Sequence, residues 1–347
     1  MPEIKNIAIV ILNWNGEKLF PKFLPSVIRN SSGDNIEIIV ADNNSTDNSI
    51  GWLKTNYPEV KVIRLDTNYG FAEGYNQALQ QVEADYFVLL NSDVEVTPGW
   101  LEKGFQLFHQ NEKIAAVQPK ILSFEKPHQF EYAGAAGGFI DKFGYPFCRG
   151  RILNEMEADM AQYNKATPIF WASGACMFIK AAVFKTAGFF DASFWAHMEE
   201  IDLCWRMKNM GYEIWYQPDS VVFHLGGGTL SYNSPKKVYL NFRNNLFMLY
   251  KNLPQKSFKR MFFSRLVLDG IAAIKFLAGF YFKSFWAVVR AHASFYRHLS
   301  KLKQKRKQLQ EIIQVEDHPE IYQQSIMWKF FIQKKKKFLE LKFNPKR

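Results

Sequence analysis

Short apolar runs alternate with amphipathic segments over the first ninety residues of the chain. The runs are rich in β-branched residues and occupy positions 7–12, 36–41, 60–65 and 86–90. The segments between them repeat apolar positions at the spacing of one helix face, over residues 18–29, 49–57 and 71–82. Buried strands separated by helices of this length are typical of βαβ units. The pattern therefore predicts an α/β domain with a mostly parallel central sheet.

Polar residues follow each apolar run. Asn13, Asp42 and Asn68 come after the first three runs, and Asn91, Ser92 and Asp93 come after the fourth. The carboxyl ends of parallel strands share one edge, where open α/β sheets bind ligands. If the fourth strand continues, Asn91, Asp93 and Glu95 project from one face, and their oxygen atoms suit a hard cation such as Mg²⁺ or Mn²⁺. A solvated turn is the alternative for this segment.

A second group of polar residues lies far along the chain. The sequence FWAHMEEIDLCWR at residues 194–206 predicts a helix with Glu199, Glu200 and Asp202 in its first turns. On a helix Glu199 and Asp202 share a face, and Glu200 points about 100° away. Acids are also favoured at helix N-termini by the helix dipole, but three acids beside aromatic residues suggest a general base in a partly dry pocket.

Two further segments flank these acids. Trp171, Ser173 and Gly174 belong to a stretch of small residues where a backbone can approach a ligand closely. His224 closes an apolar, strand-like run and precedes glycines at 226–228, a flexible segment suited to a moving loop. A histidine in this position is either a ligand or a structural residue.

The charge is divided unevenly along the chain. The net charge is +11, yet residues 231–347 hold 25 Lys and Arg against 6 Asp and Glu, which leaves 19 against 27 in residues 1–230. We therefore expect an acidic catalytic domain over residues 1–230 and a basic helical extension over residues 231–347. A strongly basic extension points to an anionic surface as its partner.

The extension combines these cations with apolar helical patterns. Residues 239–250 predict an amphipathic helix, and residues 261–301 predict one long helix. On that long helix the seven charged residues from Arg265 and Asp269 to Lys301 fall within an arc of about 120°. Its longest uncharged stretch, residues 276–282, is far shorter than the roughly 20 residues that cross a bilayer.

This profile predicts a helix lying in the membrane interface, with its cations toward anionic lipid. The lysine runs at 301–307 and 334–337 would add electrostatic attraction. Packing of the helix on the catalytic domain, or on a second subunit in a homodimer, is the alternative. Nucleic acid is not expected as a partner, because the lysines flank an apolar face rather than a groove-reading motif.

Seven of these segments, in this order, resemble an inverting glycosyltransferase of family 2 with a GT-A fold. They are VILNWNG at 10–16, VADNNSTD at 40–47, NYGFAEGYN at 68–76, LNSD at 90–93, SGA at 173–175, MEEIDLCWR at 198–206 and FH at 223–224. The set is most similar to the bacterial branch that includes rhamnosyl- and galactofuranosyltransferases. The GT-A fold binds nucleoside-diphospho-sugars, here uridine- or deoxythymidine-linked, and uses a divalent cation.

The resemblance implies roles for individual residues. Asp42 would contact the pyrimidine base, and the other donor-binding positions would be Asn13, Asn44, Asn68, Gly70, Asn76, Asn91 and Ser92. Asp93 would hold Mg²⁺ or Mn²⁺ on the diphosphate, with His224 as a further ligand. Glu200 would be the catalytic base, and Glu199 or Asp202 could share its role. Trp171, Ser173 and Gly174 would line the acceptor and sugar pocket.

The chain departs from the family pattern at two of these positions. Asn91 stands where the family has the first acid of Asp-x-Asp, which leaves a less negative metal site. Glu200 stands where the family has Asp, so the base would reach about one methylene further.

These features together predict a metal-dependent inverting glycosyltransferase that builds a cell-surface polysaccharide on a lipid-linked saccharide acceptor. Three widely spaced cysteines form no zinc or disulfide pattern, which favours the cytoplasm, and the basic extension favours the inner face of the cell membrane. The alternatives are a metal-dependent sugar nucleotidyltransferase and a non-catalytic, membrane-associated protein that binds sugar nucleotides. Neither Gly-x-Gly-x-x-Gly nor Gly-x-x-x-x-Gly-Lys-Ser/Thr occurs in the positions that dinucleotide or P-loop folds require.

Overall fold

The four apolar runs form parallel neighbours in one sheet of the computed structural model, which describes residues 6–226 and 234–343. These strands are β1 (Ile7–Asn13), β2 (Ile36–Asp42), β3 (Lys61–Arg64) and β4 (Tyr86–Asn91). The helices between them are α1 (Phe20–Asn30), α2 (Ser49–Asn56) and α3 (Gly70–Leu79). Asn13 is in register with Asp42, and its neighbour Leu12 with Asn91. The polar strand ends therefore meet at one edge of the sheet, as predicted.

The rest of the chain completes two sheets and a helical layer. The following elements are, in chain order, β5 (Val94–Val96), α4 (Trp100–Phe105), β6 (Ile114–Ser123), β7 (Gly138–Asp141), β8 (Pro146–Cys148), β9 (Arg151–Ile152), β10 (Glu155–Met156), β11 (Thr167–Ile169), β12 (Cys176–Lys180), α5 (Ala181–Thr186), α6 (Glu199–Asn209) and β13 (Glu213–His224). The last elements are α7 (Pro235–Asn252), α8 (Phe258–Ala278), α9 (Phe282–Arg297), α10 (Leu299–Ile312), β14 (Ile321–Tyr322) and α11 (Ile326–Phe331).

The central sheet has the strand order β11-β13-β6-β12-β4-β1-β2-β3, with β5 paired to β13. Strand β12 is antiparallel to both β4 and β6, whereas β13 is parallel to β6. Strands β4, β6 and β13 consequently run in the same direction, and the end of β13 at His224 reaches the edge that holds Asn91. A smaller sheet has the order β10-β9-β8-β7-β14.

Alternate residues of β1 enter two different cores. Ile9 and its neighbours on one face pack with α1 and α4, whereas Ala8 and Val10 pack with α3 and the rest of the chain. A sheet covered on both faces needs apolar side chains on both, which explains why the runs are continuous rather than alternating. The predicted α/β class with a mostly parallel sheet is confirmed.

The C-terminal helices share the larger of these cores. Leu246 of α7, Phe295 of α9 and Leu302 of α10 lie in the same buried cluster as Val10. The predicted domain boundary at residue 230 lies outside the described residues, and the division at that point stays a prediction.

The prediction of one helix over residues 261–301 is wrong. Helix α8 ends at Ala278, the chain turns back, and α9 begins at Phe282. Phe280 within the turn has a left-handed backbone with φ of 59°. The reversal places α9 against α8, so that the two form a helical hairpin. Periodicity could not show this break, because both helices continue an apolar pattern through it.

The orientation expected for the charged arc of this segment is also wrong in part. Arg265 and Asp269 are 3% and 0% exposed, and Arg265 Nε lies 2.7 Å from Asp269 Oδ1. Two members of the lysine run at 301–307 face the protein as well: Lys305 Nζ lies 2.6 Å from Asp191 Oδ1, and Arg306 donates to the carbonyl of Tyr250. Within residues 6–226 and 234–343, no helix is both long and apolar enough to cross a membrane.

Strand β4 does not continue through Glu95. It ends at Asn91, the chain turns at Ser92 and Asp93, and Glu95 lies in β5, which pairs with β13. The expectation that Asn91, Asp93 and Glu95 project from one strand is therefore wrong. The turn still brings Asn91 and Asp93 together.

Candidate active site

Asn13 organises the edge of the sheet where β1 and β2 end. Its fully buried Nδ2 donates to Asp42 Oδ1 at 3.2 Å and to Ser49 Oγ at 3.0 Å. Gly16 makes room for this side chain, because a Cβ there would lie 2.1 Å from Asn13 Oδ1. That Oδ1 has no hydrogen-bond partner among the described residues. A buried acceptor left unpaired costs about 1–3 kcal/mol, so this edge favours a ligand that donates to it.

Asn43 holds the loop after β3, and the sequence reasoning did not single it out. Its Nδ2 donates to Asn68 Oδ1 at 3.1 Å and to the carbonyl of Gly70 at 2.9 Å, and its Oδ1 accepts from the backbone of Tyr69. Gly70 has φ of 74° and packs against the indole of Trp195. Asn43 therefore fixes the loop that was predicted to line the nucleotide site. Its position between Asp42 and Asn44, in a polar run, was the available signal.

Of two further residues predicted to bind the donor, Asn76 has a structural role and Asn44 lies beside Asp42 at the sheet edge. Asn76 is buried and exchanges hydrogen bonds with the backbone of Phe190, donating from Nδ2 at 2.9 Å and accepting at Oδ1 at 3.0 Å. Its amide is used structurally, so the assignment of Asn76 to donor binding is corrected. Asn44 is exposed in a left-handed turn with φ of 60°.

Asp93 and His224 meet at the same edge, although 131 positions separate them in the sequence. Asp93 Oδ1 lies 3.1 Å from His224 Nε2, and Asn91 Nδ2 lies 3.4 Å from the same nitrogen. Glu131 Oε2 lies 3.2 Å from His224 Nδ1 on the other side of the ring. Burial alone would lower the pKa of His224, but the carboxylates of Asp93 and Glu131 outweigh it and raise that pKa to about 10.

This arrangement fits a divalent cation that a diphosphate helps to hold. Residues 6–226 and 234–343 contain no group of three His, Cys, Asp or Glu side chains that could hold a metal ion by themselves. Mg²⁺ is commonly bound by one or two carboxylates together with substrate phosphates, which suits Asp93. His224 would join as a ligand only in its neutral form, so a cation bound here would have to displace the proton that Asp93 and Glu131 hold on the ring. Glu131 occupies the position of the carboxylate that orients a ligating imidazole. The sequence reasoning did not find Glu131, which lies in a stretch without a motif.

The three acids of α6 have different environments. Asp202 is fully buried and paired with three neighbours: Arg206 Nε at 3.0 Å, Lys251 Nζ at 2.9 Å and Asn252 Nδ2 at 2.8 Å. Its oxygens are therefore used within the protein, and we correct its predicted catalytic role to a structural one. Ion pairs in such a dry site hold the carboxylate firmly in place.

Glu199 and Glu200 differ in their access to solvent. Glu199 is 4% exposed, whereas Glu200 is half-buried. Burial, together with the charge of Glu200, raises the pKa of Glu199 well above its usual value. Burial also raises the pKa of Glu200, to about 7. Glu200 is consequently the more exposed of the two acids and the one that ionises near neutral pH, and its buried Oε2 has no hydrogen-bond partner among the described residues.

The loop before α6 connects these acids to the predicted donor site. The carbonyl of Trp195 accepts hydrogen bonds from the backbone of Phe71 at 2.8 Å and of Ala72 at 3.2 Å, in the first turn of α3. Trp195, His197 and Met198 all have left-handed φ values, of 63°, 70° and 71°. Such conformations cost about 1–3 kcal/mol each in non-glycine residues, and they persist where the surroundings hold them.

Helix α7 supplies this support. Asn244, fully buried, donates from Nδ2 to the carbonyls of Phe194, Ala196 and His197 at 3.0, 2.8 and 2.7 Å. Arg243 donates to the carbonyls of Ser193 and Phe194. The sequence reasoning assigned α7 to the extension and gave it no part in the site. The loop of residues 193–198, which leads into the acids of α6, is termed the acid loop below; α7 supports it but is not part of it.

Two of the three residues predicted to line the acceptor pocket have buried side chains. Trp171 is 4% exposed and donates from Nε1 to the carbonyl of Phe139, and Ser173 is 2% exposed and donates to the carbonyl of Ala133. Both side chains are structural, which corrects their assignment to the acceptor. A Cβ at Gly174 would lie 3.0 Å from the ring of Phe71, so Gly174 allows β12 to approach α3.

Comparison with known sequences identifies relatives of this chain. The model of the family described as Glycosyl transferase family 2 matches residues 8–188. The low-salt glycan biosynthesis hexosyltransferase Agl10 of Haloferax volcanii is 24% identical over 281 residues, which cover 79% of this chain and 85% of the relative. An N-acetylglucosaminyl-diphospho-decaprenol L-rhamnosyltransferase of Mycobacterium tuberculosis is 23% identical over 207 residues, covering 54% of this chain and 66% of the relative.

Solved structures resemble the fold. GalNAc-T7 with UDP, GalNAc and Mn²⁺ superposes with a TM-score of 0.56 at 16% identity, over 72% of this chain and 48% of the other. Residues 1–349 of S. aureus TarS in complex with UDP-GlcNAc superpose with a TM-score of 0.53 at 14% identity, over 89% and 84% of the two chains. This chain therefore spans about half the length of the GalNAc-T7 chain and most of the TarS fragment.

Proposed function

Because the chain belongs to glycosyl transferase family 2, we propose that it moves a sugar from a nucleoside diphosphate to a hydroxyl of a saccharide acceptor, with inversion at the anomeric carbon. The observation that carries this proposal is the bond between the acid loop and α3. It places the loop that leads into Glu200 against the first turn of α3, next to Gly70, on the side of the sheet where Asn13 and Asp42 end their strands and Asp93 follows β4. Direct displacement of the nucleoside diphosphate by an acceptor hydroxyl requires a base close to the site that binds the nucleotide sugar.

The chemistry assigns distinct tasks to the residues of this edge. Asp42 and the loop held by Asn43 would bind the nucleotide, and Asp93 and His224 would hold the cation. When bound, the cation supplies positive charge to a diphosphate leaving group. Glu200 would accept the proton of the acceptor hydroxyl as that oxygen attacks from the face opposite the diphosphate. This transfer needs an oxygen–oxygen distance of about 2.6–3.2 Å in the ternary complex.

A panel of nucleotide sugars tests the proposal directly. The purified protein is incubated with UDP- and dTDP-linked sugars and Mn²⁺ or Mg²⁺, and nucleoside diphosphate release is measured with and without EDTA. We expect metal-dependent release from one donor, at least as slow hydrolysis. Pyrophosphate formation from a nucleoside triphosphate and a sugar phosphate would instead favour a nucleotidyltransferase. Binding of a donor without turnover, even with lipid-linked saccharide present, would favour a non-catalytic protein.

The role of Asp93 is tested by binding rather than by turnover. We expect Asp93→Ala to weaken donor binding in the presence of Mn²⁺ by about tenfold or more, because the substitution removes a charged oxygen ligand. Isothermal titration calorimetry of the donor, with and without Mn²⁺, measures this effect. Glu95→Ala, two positions away in β5, is the matched control and should bind donor normally. An unchanged, metal-dependent affinity in Asp93→Ala would contradict the assignment.

We also propose that the acceptor is a lipid-linked saccharide and that the enzyme works as a peripheral protein at the inner face of the cell membrane, in polysaccharide synthesis. The name of the Mycobacterium relative describes an acceptor joined to decaprenol through a diphosphate. An acceptor of this kind resides at a bilayer, and the basic composition of residues 231–347 suits an anionic surface.

A further inference from the structure

The hairpin of α8 and α9 turns three of its polar residues, Arg265, Asp269 and His292, toward the protein. Besides its bond to Arg265, Asp269 has its Oδ2 3.3 Å from His292 Nε2 of α9. The Arg265 guanidinium also lies 4.1 Å from the ring centre of Tyr145, in the loop between β7 and β8. These contacts fasten the hairpin to the domain through its polar side. The opposite side of both helices is left without a partner among the described residues.

That opposite side is apolar over the whole length of the hairpin. Phe280 at the tip is 79% exposed, and Phe263 and Ile274 on α8 are 67% and 66% exposed. The exposed large apolar residues of the hairpin are Phe263, Val267, Ile271, Ile274, Leu277, Phe280, Tyr281, Phe282, Trp286, Val289 and Tyr296, and together they are termed the apolar face. They recur three or four positions apart on α8 and three, four or seven positions apart on α9, so they form one stripe per helix. A patch of this extent marks an interaction site.

The exposed charged residues of the segment 235–310, which contains the hairpin, are all positive. Asp269 is the only acidic residue between positions 235 and 310, and it is fully buried. Lys283, Arg290 and Arg297 are exposed on α9, each one position after an apolar residue of the stripe. Lys283 and Arg290 line a shallow cavity together with Phe282 and Trp286. Cations therefore border the apolar side chains, and the segment 235–310 supplies no exposed acid to neutralise them.

We propose that the apolar face inserts into the interfacial layer of an anionic lipid bilayer. Apolar side chains at the level of the acyl boundary, with lysine and arginine at the level of the head groups, are the arrangement that binds such surfaces. A second copy of this chain fits less well, because a two-fold pair would bring the same cations of both copies together. This inference rests on the proposed function in one respect: a bilayer docked here would bring a lipid-linked acceptor to the protein.

Vesicle flotation with the full chain tests the inference. We expect binding to vesicles of phosphatidylcholine with about one third phosphatidylglycerol, and at least about tenfold weaker binding to phosphatidylcholine alone, because the cations supply part of the attraction. The variant with Phe280→Ser, Phe282→Ser and Trp286→Ser should lose at least about tenfold in affinity for the anionic vesicles, since it removes the apolar contact.

The control variant carries Met160→Ser and Leu339→Ser. Both residues are strongly exposed and apolar, at 80% and 62%, but lie outside the hairpin. We expect it to float like the unmodified protein, and both variants to release nucleoside diphosphate from the donor in solution at the unmodified rate. That second readout separates failure at the membrane from failure of the proposed chemistry.

Three outcomes would overturn the inference. The unmodified chain could fail to bind anionic vesicles, or the control variant could lose binding as strongly as the hairpin variant. Light scattering could also show a dimer that the hairpin variant abolishes, in which case a second copy covers the apolar face.

Discussion

Replacing Glu200 by glutamine should lower kcat by about 10²–10⁴-fold and leave donor affinity unchanged. Glutamine keeps the size and hydrogen-bonding reach of the side chain but cannot accept a proton at neutral pH, and general bases contribute a rate factor of this size. Donor affinity should persist because Glu200 lies on α6, whereas the predicted nucleotide contacts lie on β1, β2 and the loop after β3. Single-turnover kinetics with donor and acceptor, together with calorimetry of the donor, measure the two quantities.

The pH profile and the neighbouring acid sharpen this test. The base must be ionised to act, so kcat/KM should rise with pH through about 7, the value to which burial raises the pKa of Glu200. Glu200→Gln should remove that rise from the residual activity. Glu199→Gln is the matched control, and we expect a much smaller loss because Glu199 is the more deeply buried of the two acids. Near-normal turnover in Glu200→Gln, or a full loss only in Glu199→Gln, would contradict the assignment of the base.

Replacing Asn244 by alanine should lower kcat by about 100-fold, although this residue is in the C-terminal third of the chain. Three carbonyls of the acid loop would lose the Asn244 amide, and of these only that of Phe194 would keep a side-chain donor, Arg243. A displacement of about 1 Å at a catalytic group can cost this factor. The donor KM should change far less than kcat, because Asn43 still holds the nucleotide loop. Steady-state kinetics over a range of donor concentrations and pH separate these effects.

Asn245 provides a matched control for this experiment. It is the next residue on α7, is also buried, and donates to the carbonyl of Gly144 in the turn between β7 and β8. Both alanine variants should lose about 1–3 kcal/mol of stability, as buried carbonyls lose their donors. Only Asn244→Ala should lose kcat and shift the pH profile. Equal kcat losses in both variants would show that α7 acts on stability alone.

The elements of the first ninety residues were predictable because the spacing of apolar residues differs between strands and helices. Four continuous apolar runs and three helical segments gave strand and helix positions that agree with the structure to within a few residues. The polar strand ends could be placed at one edge for the same reason, since parallel strands end on the same side. The approach of His224 to Asp93 was predicted only through the family resemblance, because nothing in a linear pattern brings two residues 131 positions apart into contact.

The residues that sequence reasoning missed or misplaced are those whose role depends on a partner. Asn43, Asn76 and Asn244 are all asparagines in polar or amphipathic segments, and only tertiary contacts distinguish a loop-holding amide from one that meets a ligand. Asp202 and Glu200 occupy the same helix and differ only in what packs against them. On α8, the periodicity of the sequence placed the charged residues on one arc of the helix but did not show whether that arc faces solvent or the protein. A charged pair at i, i+4, such as Arg265 and Asp269, suits a solvated face and a buried face equally.

The hydrogen bonds from α7 to the acid loop also limit how this chain could be recombined. The C-terminal helices of related enzymes invite exchange between relatives as modules. An exchanged segment would have to supply an amide that donates to the same three carbonyls as Asn244. It would also have to supply the contacts that Lys251 and Asn252 make with Asp202. Without these contacts, the loop before α6 and the start of α6 would lose their support. Helix α7 and the loop that leads into the proposed base on α6 therefore have to be inherited together, as one unit of variation.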